Sequence, residues 1–444
     1  MTERQLDVES IEYRIAVVES RSGNILTFQA NGNYRLPRVR ISRNVRHVSQ
    51  LAKMIEDEWG VKVMILDFLS EPDNEIPCAA AIVLGSTSNR PALHKLSLEQ
   101  LPPIELPEKE RDFLVSIIYG RSISPLSRID WFDVVIAWVE EVTGKKISSK
   151  TDVEQLNAGG GYALIRFGMG CGDTYWLKAT GEPNRHECAL TIFLSSLCPT
   201  RLPHVIAHKT EWNAWLTADA GSCLRSSPAE EAMECAADGF ANLQIHSRDS
   251  IGDLFAAGAF DQRPHALRKG IEMITDYLIQ AMEYQESAKV PTLQSDRLLK
   301  VAEVLRLACL SLEELEIPDT LLHNDLSRSN ILFDHGRCRF IDWSEASIGN
   351  PFLGCERLCQ LNQEHQRAVQ SIYRTAWSDR IDAKSIDKAL NLAPLLAIYA
   401  YLYGRGSWPR VAGVQPHFDS YARSLARHMD RAAQNLELQG ASCL

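Results

Sequence analysis

Leu322-His323-Asn324-Asp325-Leu326-Ser327-Arg328-Ser329-Asn330-Ile331-Leu332-Phe333, followed by Arg339-Phe340-Ile341-Asp342-Trp343, is the stretch whose reading decides the fold. It sets His323 and Asp325 ahead of Asn330, then an apolar run, a short turn, and a second apolar run ending at Asp342. The apolar runs read as two buried strands joined by a hairpin. They would hold a polar loop rigid and present three side chains from it. Phosphoryl transfer needs such a set: one carboxylate beside an attacking hydroxyl, and an amide oxygen with a further carboxylate to hold magnesium against phosphates. Asp325 suits the first role, Asn330 and Asp342 the second.

The pattern resembles the catalytic loop of the aminoglycoside phosphotransferase and choline kinase group, within the protein-kinase-like fold. That family's loop typically reads H-G-D-L-x-x-x-N, followed by a strand with Asp before an aromatic residue. Asn324 stands where Gly is usual, a position that other kinases fill with Arg. The resemblance covers roughly residues 127–444. It implies an α+β, bilobal fold with a small β-rich lobe and a large helical lobe. It also implies Mg2+ as cofactor and ATP or GTP as co-substrate.

A kinase of this kind needs a lysine on the third strand of the small lobe. Thr174-Tyr175-Trp176-Leu177-Lys178-Ala179 supplies Lys178, and Glu187 opens the helix that follows. Alone, either is an ordinary surface charge; in this order they read as the phosphate-holding lysine and its orienting acid. Asn157-Ala158-Gly159-Gly160-Gly161-Tyr162 lies between the first two strands, where Gly159, Gly160 and Gly161 let backbone amides approach phosphate. Gly168-Met169-Gly170-Cys171-Gly172 precedes a strand, not a helix, so it reads as a hairpin turn, not a dinucleotide fingerprint. Residues 215–219 resemble the hinge strand. His246 and His323 read as structural, with His323 orienting the loop. Tyr399, Tyr401, Tyr403 and Trp408 could line an acceptor site, although such a stripe more often belongs to a core.

Residues 1–125 resemble a Nudix-type α/β/α domain preceding the two lobes. Tyr34-Arg35-Leu36-Pro37-Arg38-Val39 and Glu58-Trp59-Gly60-Val61 match the two ends of that family's box in register. The box itself is broken, with Val39 and Val45 where its first Gly and Glu belong, and Lys53-Met54 for its Arg-Glu pair. Asp57 and Glu58 alone remain as acids, and a magnesium pyrophosphatase needs several. The expectation is a sensor, an interaction module or a remnant without hydrolase activity. The chain thus divides into residues 1–125, a small lobe at 127–220 and a helical lobe at 221–444.

Hydrophobic patterning fills in the elements. Strands are expected at 11–19, 25–29, 61–68, 79–84, 153–156, 163–167, 174–179, 204–208 and 214–217. Helices are expected at 45–59, 108–119, 131–142, 185–197, 229–247, 266–286 and 295–315, with two or three more after 364.

The chain of 444 residues has 45% hydrophobic and 23% charged residues, which is ordinary globular composition. Its net charge of −10 and pI near 5.7 argue against nucleic-acid or anionic-membrane partners and suit a cationic small substrate. No run reaches the roughly 18 apolar residues of a membrane helix. Residues 1–10 lack the apolar core of a signal peptide, and the eleven cysteines show no CxxC. A cytoplasmic protein with reduced thiols is the expectation. The motifs point to transfer of a nucleotide γ-phosphate to a hydroxyl of a small molecule. One alternative is a nucleotide-binding sensor without turnover, which an intact Asp325, Asn330, Asp342 and Lys178 set disfavours. The other is a kinase of protein hydroxyls, which the absence of DFG and APE segments disfavours.

Overall fold

The computed structural model describes residues 10–30, 32–42, 46–69, 76–85, 93–122, 124–147, 152–159, 161–226, 229–361, 363–404 and 416–439. The chain divides into two units, residues 1–188 with 205–219, and residues 189–204 with 220–444.

The first unit opens with a mixed sheet. Its strands are β1 (Ser10–Val18), β2 (Ile25–Ala30), β3 (Asn33–Arg35), β4 (Arg38–Ser42), β5 (Val63–Leu69), β6 (Cys78–Val83) and β7 (His94–Leu96). The order is β3-β2-β1-β6-β5, with β4 on β1 and β7 on β2. Among the described strands of this sheet, only β1 and β6 run parallel. Side chains alternate between faces, as a pleated strand requires. Tyr13, Ile15 and Val17 meet the helix His47–Trp59, while Ala16 and Val18 face the other way. That helix buries Val48, Leu51 and Ile55 at helical spacing and ends at Gly60, whose φ of 62° is the left-handed conformation glycine adopts freely. On the opposite face the helix Glu108–Ile118 is tied down by a buried ion pair between Arg14 and Glu110. Removing one partner of such a pair costs about 3–5 kcal/mol, because the other charge stays buried.

A second, antiparallel sheet follows in the order β11-β12-β10-β9-β8. Its strands are β8 (Val153–Asn157), β9 (Tyr162–Gly168), β10 (Thr174–Thr180), β11 (Val205–Lys209) and β12 (Ala214–Ala218). Ile165, Phe167, Leu177 and Ala179 form one buried face. They share a single hydrophobic core with Met64 and Leu66 of the first sheet and with Leu126, Trp131, Phe132 and Val135. Packing is therefore continuous across residue 125, where the sequence suggests a boundary. A shared core binds the two sheets into one unit more firmly than a linker would.

The second unit is mostly helical and closes around one large core. Among its strands are β13 (Ser222–Cys223), β14 (Phe260–Asp261), β15 (Thr320–His323), β16 (Ile331–Asp334), β17 (Arg337–Phe340) and β18 (Ala346–Gly349). They form two small sheets, β13-β16-β17 and β14-β18-β15. The hairpin of β16 and β17 is the one the motif predicts. β18 is an addition: Ala346, Ser347, Ile348 and Gly349 are all buried and pair with β15. Gly349 is required there, since a Cβ would lie 2.7 Å from the carbonyl oxygen of Gln262. Among the described residues, three helices follow residue 364: Gln366–Trp377, Ala383–Gly404 and Pro416–Gln439. Tyr399 and Tyr401 are buried in the core, and the Tyr399 hydroxyl donates to the carbonyl of Leu267 at 2.7 Å. Trp408 and Val45 lie outside the described residues. Among the described residues no helix is long and apolar enough to cross a membrane.

Candidate active site

In the helical unit the residues of the candidate catalytic loop are held mainly by one another. Leu326 N donates to His323 O at 3.1 Å and Asn330 N to Ser327 O at 3.0 Å, so the polar loop is two linked turns. Asn330 Nδ2 donates to the Asp325 carbonyl at 2.8 Å and to Asp325 Oδ2 at 3.1 Å. This leaves Asn330 Oδ1 as the acceptor end of the amide. Ile341 N donates to the Asn330 carbonyl at 3.0 Å, which brings Asp342 beside Asn330 across the hairpin. Asp342 has φ 68° and ψ 65°. A non-glycine residue in that left-handed region costs on the order of 1 kcal/mol, and such residues cluster at functional sites. Ser344 Oγ donates to Asp342 Oδ1 at 3.3 Å.

His323 lies under the loop, 1% exposed. Its Nε2 donates to the Ile341 carbonyl at 2.9 Å, and its ring lies 4.6 Å from that of Trp343, itself fully buried. A carbonyl can only accept, so Nε2 carries the hydrogen. Burial pushes the His323 pKa below its usual value, which keeps the ring neutral. It orients the loop, as expected from the sequence. β15 is anchored from behind, where Leu321 N donates to Ser247 Oγ at 2.9 Å and Gln244 Nε2 to the Leu321 carbonyl at 3.3 Å. His246, between them in sequence, instead points outward and bonds the carbonyl of Asn242, one helical turn back. The neighbours of His246, not His246 itself, do the anchoring. Arg357 Nη2 donates to the Asn324 carbonyl at 3.1 Å. Beside it, burial pushes the Glu356 carboxyl up to about 7.

Asn330 Oδ1 and the Asp342 carboxylate are hard oxygen donors, which fits magnesium. That ion keeps several waters and takes one or two protein oxygens together with phosphate oxygens. Among the described residues no three His, Cys, Asp or Glu side chains converge, so no all-protein metal cage is built there.

In the β-rich unit Lys178 projects from β10 on the face opposite Leu177. Its Nζ lies 2.5 Å from Glu187 Oε1, with side-chain exposures of 13% and 1%. Glu187 is the first residue of the helix Glu187–Leu197, where a carboxylate also meets the positive end of the helix dipole. The ammonium also lies 5.4 Å from the ring centre of Tyr162 and 5.7 Å from that of Trp215. Two aromatic faces and one acid fix its position. Tyr162 had no role in the sequence reading, since nothing in a lone tyrosine after a glycine run points to a lysine on the next strand. Gly159 has φ 137°, and its carbonyl accepts from Tyr162 N at 3.2 Å; the Gly161 carbonyl accepts from Gly181 N at 2.6 Å. Gly160 lies outside the described residues. Met169 to Asp173 form the turn between β9 and β10, with Gly172 N donating to the Met169 carbonyl at 2.9 Å. Residues 215–218 lie in β12, and Asp219 after it accepts from Trp176 Nε1 at 2.7 Å. On the first sheet's helix, Asp57 and Glu58 are exposed.

Residues 244–353 match the family model described as the phosphotransferase enzyme family, APH. That segment is similar to the phosphotransferase family. The match contains Asp325, Asn330 and Asp342, and the resemblance to this family is borne out over those residues; the α+β class is borne out by the sheets and helices of the described residues. The match lies wholly outside residues 1–125, so the Nudix resemblance there gains nothing from it. Solved structures similar to the chain include a macrolide 2'-phosphotransferase, MphH, from Brachybacterium faecium, with 12% identity, 66% of this chain and 97% of that chain covered, and a TM-score of 0.46. A choline kinase from Cryptosporidium parvum has 16% identity, covers 70% and 97%, and has a TM-score of 0.47. APH(2")-IIia, in complex with GDP and kanamycin, has 15% identity, covers 68% and 98%, and has a TM-score of 0.45. At these levels the likeness carries no functional weight. No curated protein matches the chain.

Proposed function

We propose that the chain transfers the γ-phosphate of ATP or GTP to a hydroxyl of a small molecule, in a magnesium-dependent reaction. The observation that carries this is the pairing of Asp325 with Asn330, whose backbone is joined in turn to the residue before Asp342. Asp325 would orient the acceptor hydroxyl and take its proton as the new oxygen–phosphorus bond forms. The bond between the γ-phosphorus and the β–γ bridging oxygen breaks, and the nucleoside diphosphate leaves. Lys178, fixed by Glu187, would hold phosphate oxygens, with backbone amides of the turn at Gly159 and Gly161 helping. Magnesium would be held by Asn330 and Asp342, and it supplies charge neutralisation on the phosphates. The residues contribute positioning and electrostatics, which suffices for this chemistry. Residues 1–125 would be a degenerate Nudix-like module without hydrolase activity of its own.

The test is nucleotide consumption with Mg2+ and ATP or GTP across pooled hydroxylated metabolites and aminoglycosides, with Asp325→Ala run beside wild type. Turnover with one pool that disappears in the variant supports the proposal and begins to name the substrate. Nucleotide binding without turnover in any pool favours a sensor. No nucleotide binding at all overturns the reading.

A further inference from the structure

Two segments far apart in sequence meet beside the glycine-rich turn. β5 is the last strand of the first sheet, and its outer backbone groups are met by a side chain instead of a strand. Gln155 Oε1 accepts from Ile65 N at 2.9 Å, and Gln155 Nε2 donates to Ile65 O at 2.7 Å. One amide side chain thus continues the hydrogen-bond ladder by one residue and covers the edge. Ser49 Oγ, from the helix His47–Trp59, donates to the Gln155 carbonyl at 3.3 Å. Both strands break register here, β5 between Ile65 and Asp67 and β8 between Gln155 and Asn157. Such bulges bend a strand and re-aim its side chains.

The chain then enters the turn still in contact with the first sheet. Ala158 packs against the core formed by that sheet and its helix. At Gly159, a Cβ would lie 3.6 Å from Asp67 Oδ1, so the turn backbone runs past this carboxylate at contact distance. Asp67 is itself fixed, its Oδ1 accepting from Phe68 N at 2.8 Å and its Oδ2 from Ser127 Oγ at 2.6 Å. A glycine run left to itself is the most mobile kind of backbone. Holding its first residue, Gly159, in place before ligand arrives removes part of an ordering cost that binding would otherwise carry.

We propose that the first sheet and its helix set the path of the chain into the glycine-rich turn, at Gln155, Ala158 and Gly159, and thereby the turn's grip on nucleotide phosphates. Gln155 and Asp67 act as positioning residues. The inference rests on the phosphate-binding reading of that turn, and it gives the N-terminal module a task that needs none of the missing Nudix acids.

The test uses the full chain carrying Gln155→Leu, with Ser49→Ala as a milder variant should the first fold poorly. Leu114→Ala, a core change on the opposite face of the first sheet, controls for general destabilisation. Hydrogen exchange at residues 156–162 is read on ligand-free protein, and the dissociation constants of magnesium–ATP and magnesium–GTP by calorimetry. Gln155→Leu should speed exchange in the turn and weaken nucleotide binding roughly three- to tenfold, the worth of one to two hydrogen bonds. Leu114→Ala should lower the melting temperature without moving either readout. Unchanged exchange in the turn overturns the proposal, and so does faster exchange with unchanged affinity. If wild type binds neither nucleotide, the kinase reading and the phosphate role fall together. The exchange result then still shows whether the sheet holds the turn.

Discussion

The candidate catalytic loop and the glycine-rich turn reach order by opposite routes. Asp325, Asn330 and Asp342 lie within a short stretch, and the bonds that fix them come largely from that stretch: Asn330 to Asp325, Ile341 to Asn330, His323 to Ile341. The turn at Gly159 is tied to residues some 90 positions away in the chain, through Gln155 and Ile65. Side chains that must meet at hydrogen-bond distance gain from a self-contained lock. A turn that would use only its backbone amides carries no side chains to lock with, so its shape must be imposed by neighbours.

The largest expected effect breaks the self-contained lock. Asp325→Ala should lower kcat roughly a hundred- to ten-thousand-fold, read by single-turnover kinetics, while the melting temperature changes little because Asp325 is only partly buried. A residual rate close to wild type would remove Asp325 from the chemistry. Asp342→Asn should come next, raising the magnesium concentration needed for half-maximal rate; an unchanged magnesium dependence would move the metal elsewhere. Lys178→Met should cost roughly a hundredfold in kcat, as loss of one preorganised donor does. Glu187→Gln should cost less, since two aromatic rings still hold the lysine. The remote lock is probed by Gln155→Leu, at the three- to tenfold level in nucleotide affinity.

The smallest effect concerns stability near the loop. The folded-state pKa of Glu356, about 7, lies above its ordinary 4.5 because burial disfavours the carboxylate. The folded protein therefore binds this proton more tightly than the unfolded chain. The benefit is complete below pH 4.5 and is lost as pH rises through 7. Glu356→Gln should melt higher than wild type at pH 8 and at the same temperature near pH 4.5, by calorimetry at both values. Equal melting at pH 8 would show that the carboxylate reaches water.

What could be read without coordinates follows the same division. Asp325, Asn330 and Asp342 were legible because their types, spacing and apolar flanks fall in one local pattern. Lys178 and Glu187 stand out from their order along the chain, and they pair at 2.5 Å; their hold on phosphate is the proposal. Tyr162 beside Lys178, Ser344 on Asp342 and Arg357 on the Asn324 carbonyl were not, because each is a common residue whose contact depends on packing. The core shared by Leu66, Trp131 and Ile165 was also hidden. Each of these residues is simply apolar on its own strand or helix, and periodicity reports that a face is buried without saying against what.

By itself, the sequence determined the α+β class, the hairpin of β16 and β17 and the chemistry its three polar neighbours could perform. Local bonding and hydrophobic alternation act over a few residues, and those are written in order. The tertiary structure decided that one core runs through both sheets of the β-rich unit, and that Gln155 closes the free edge of β5 next to the turn at Gly159. Those outcomes depend on which buried faces and unpaired backbone groups find each other across long loops, a choice made by packing.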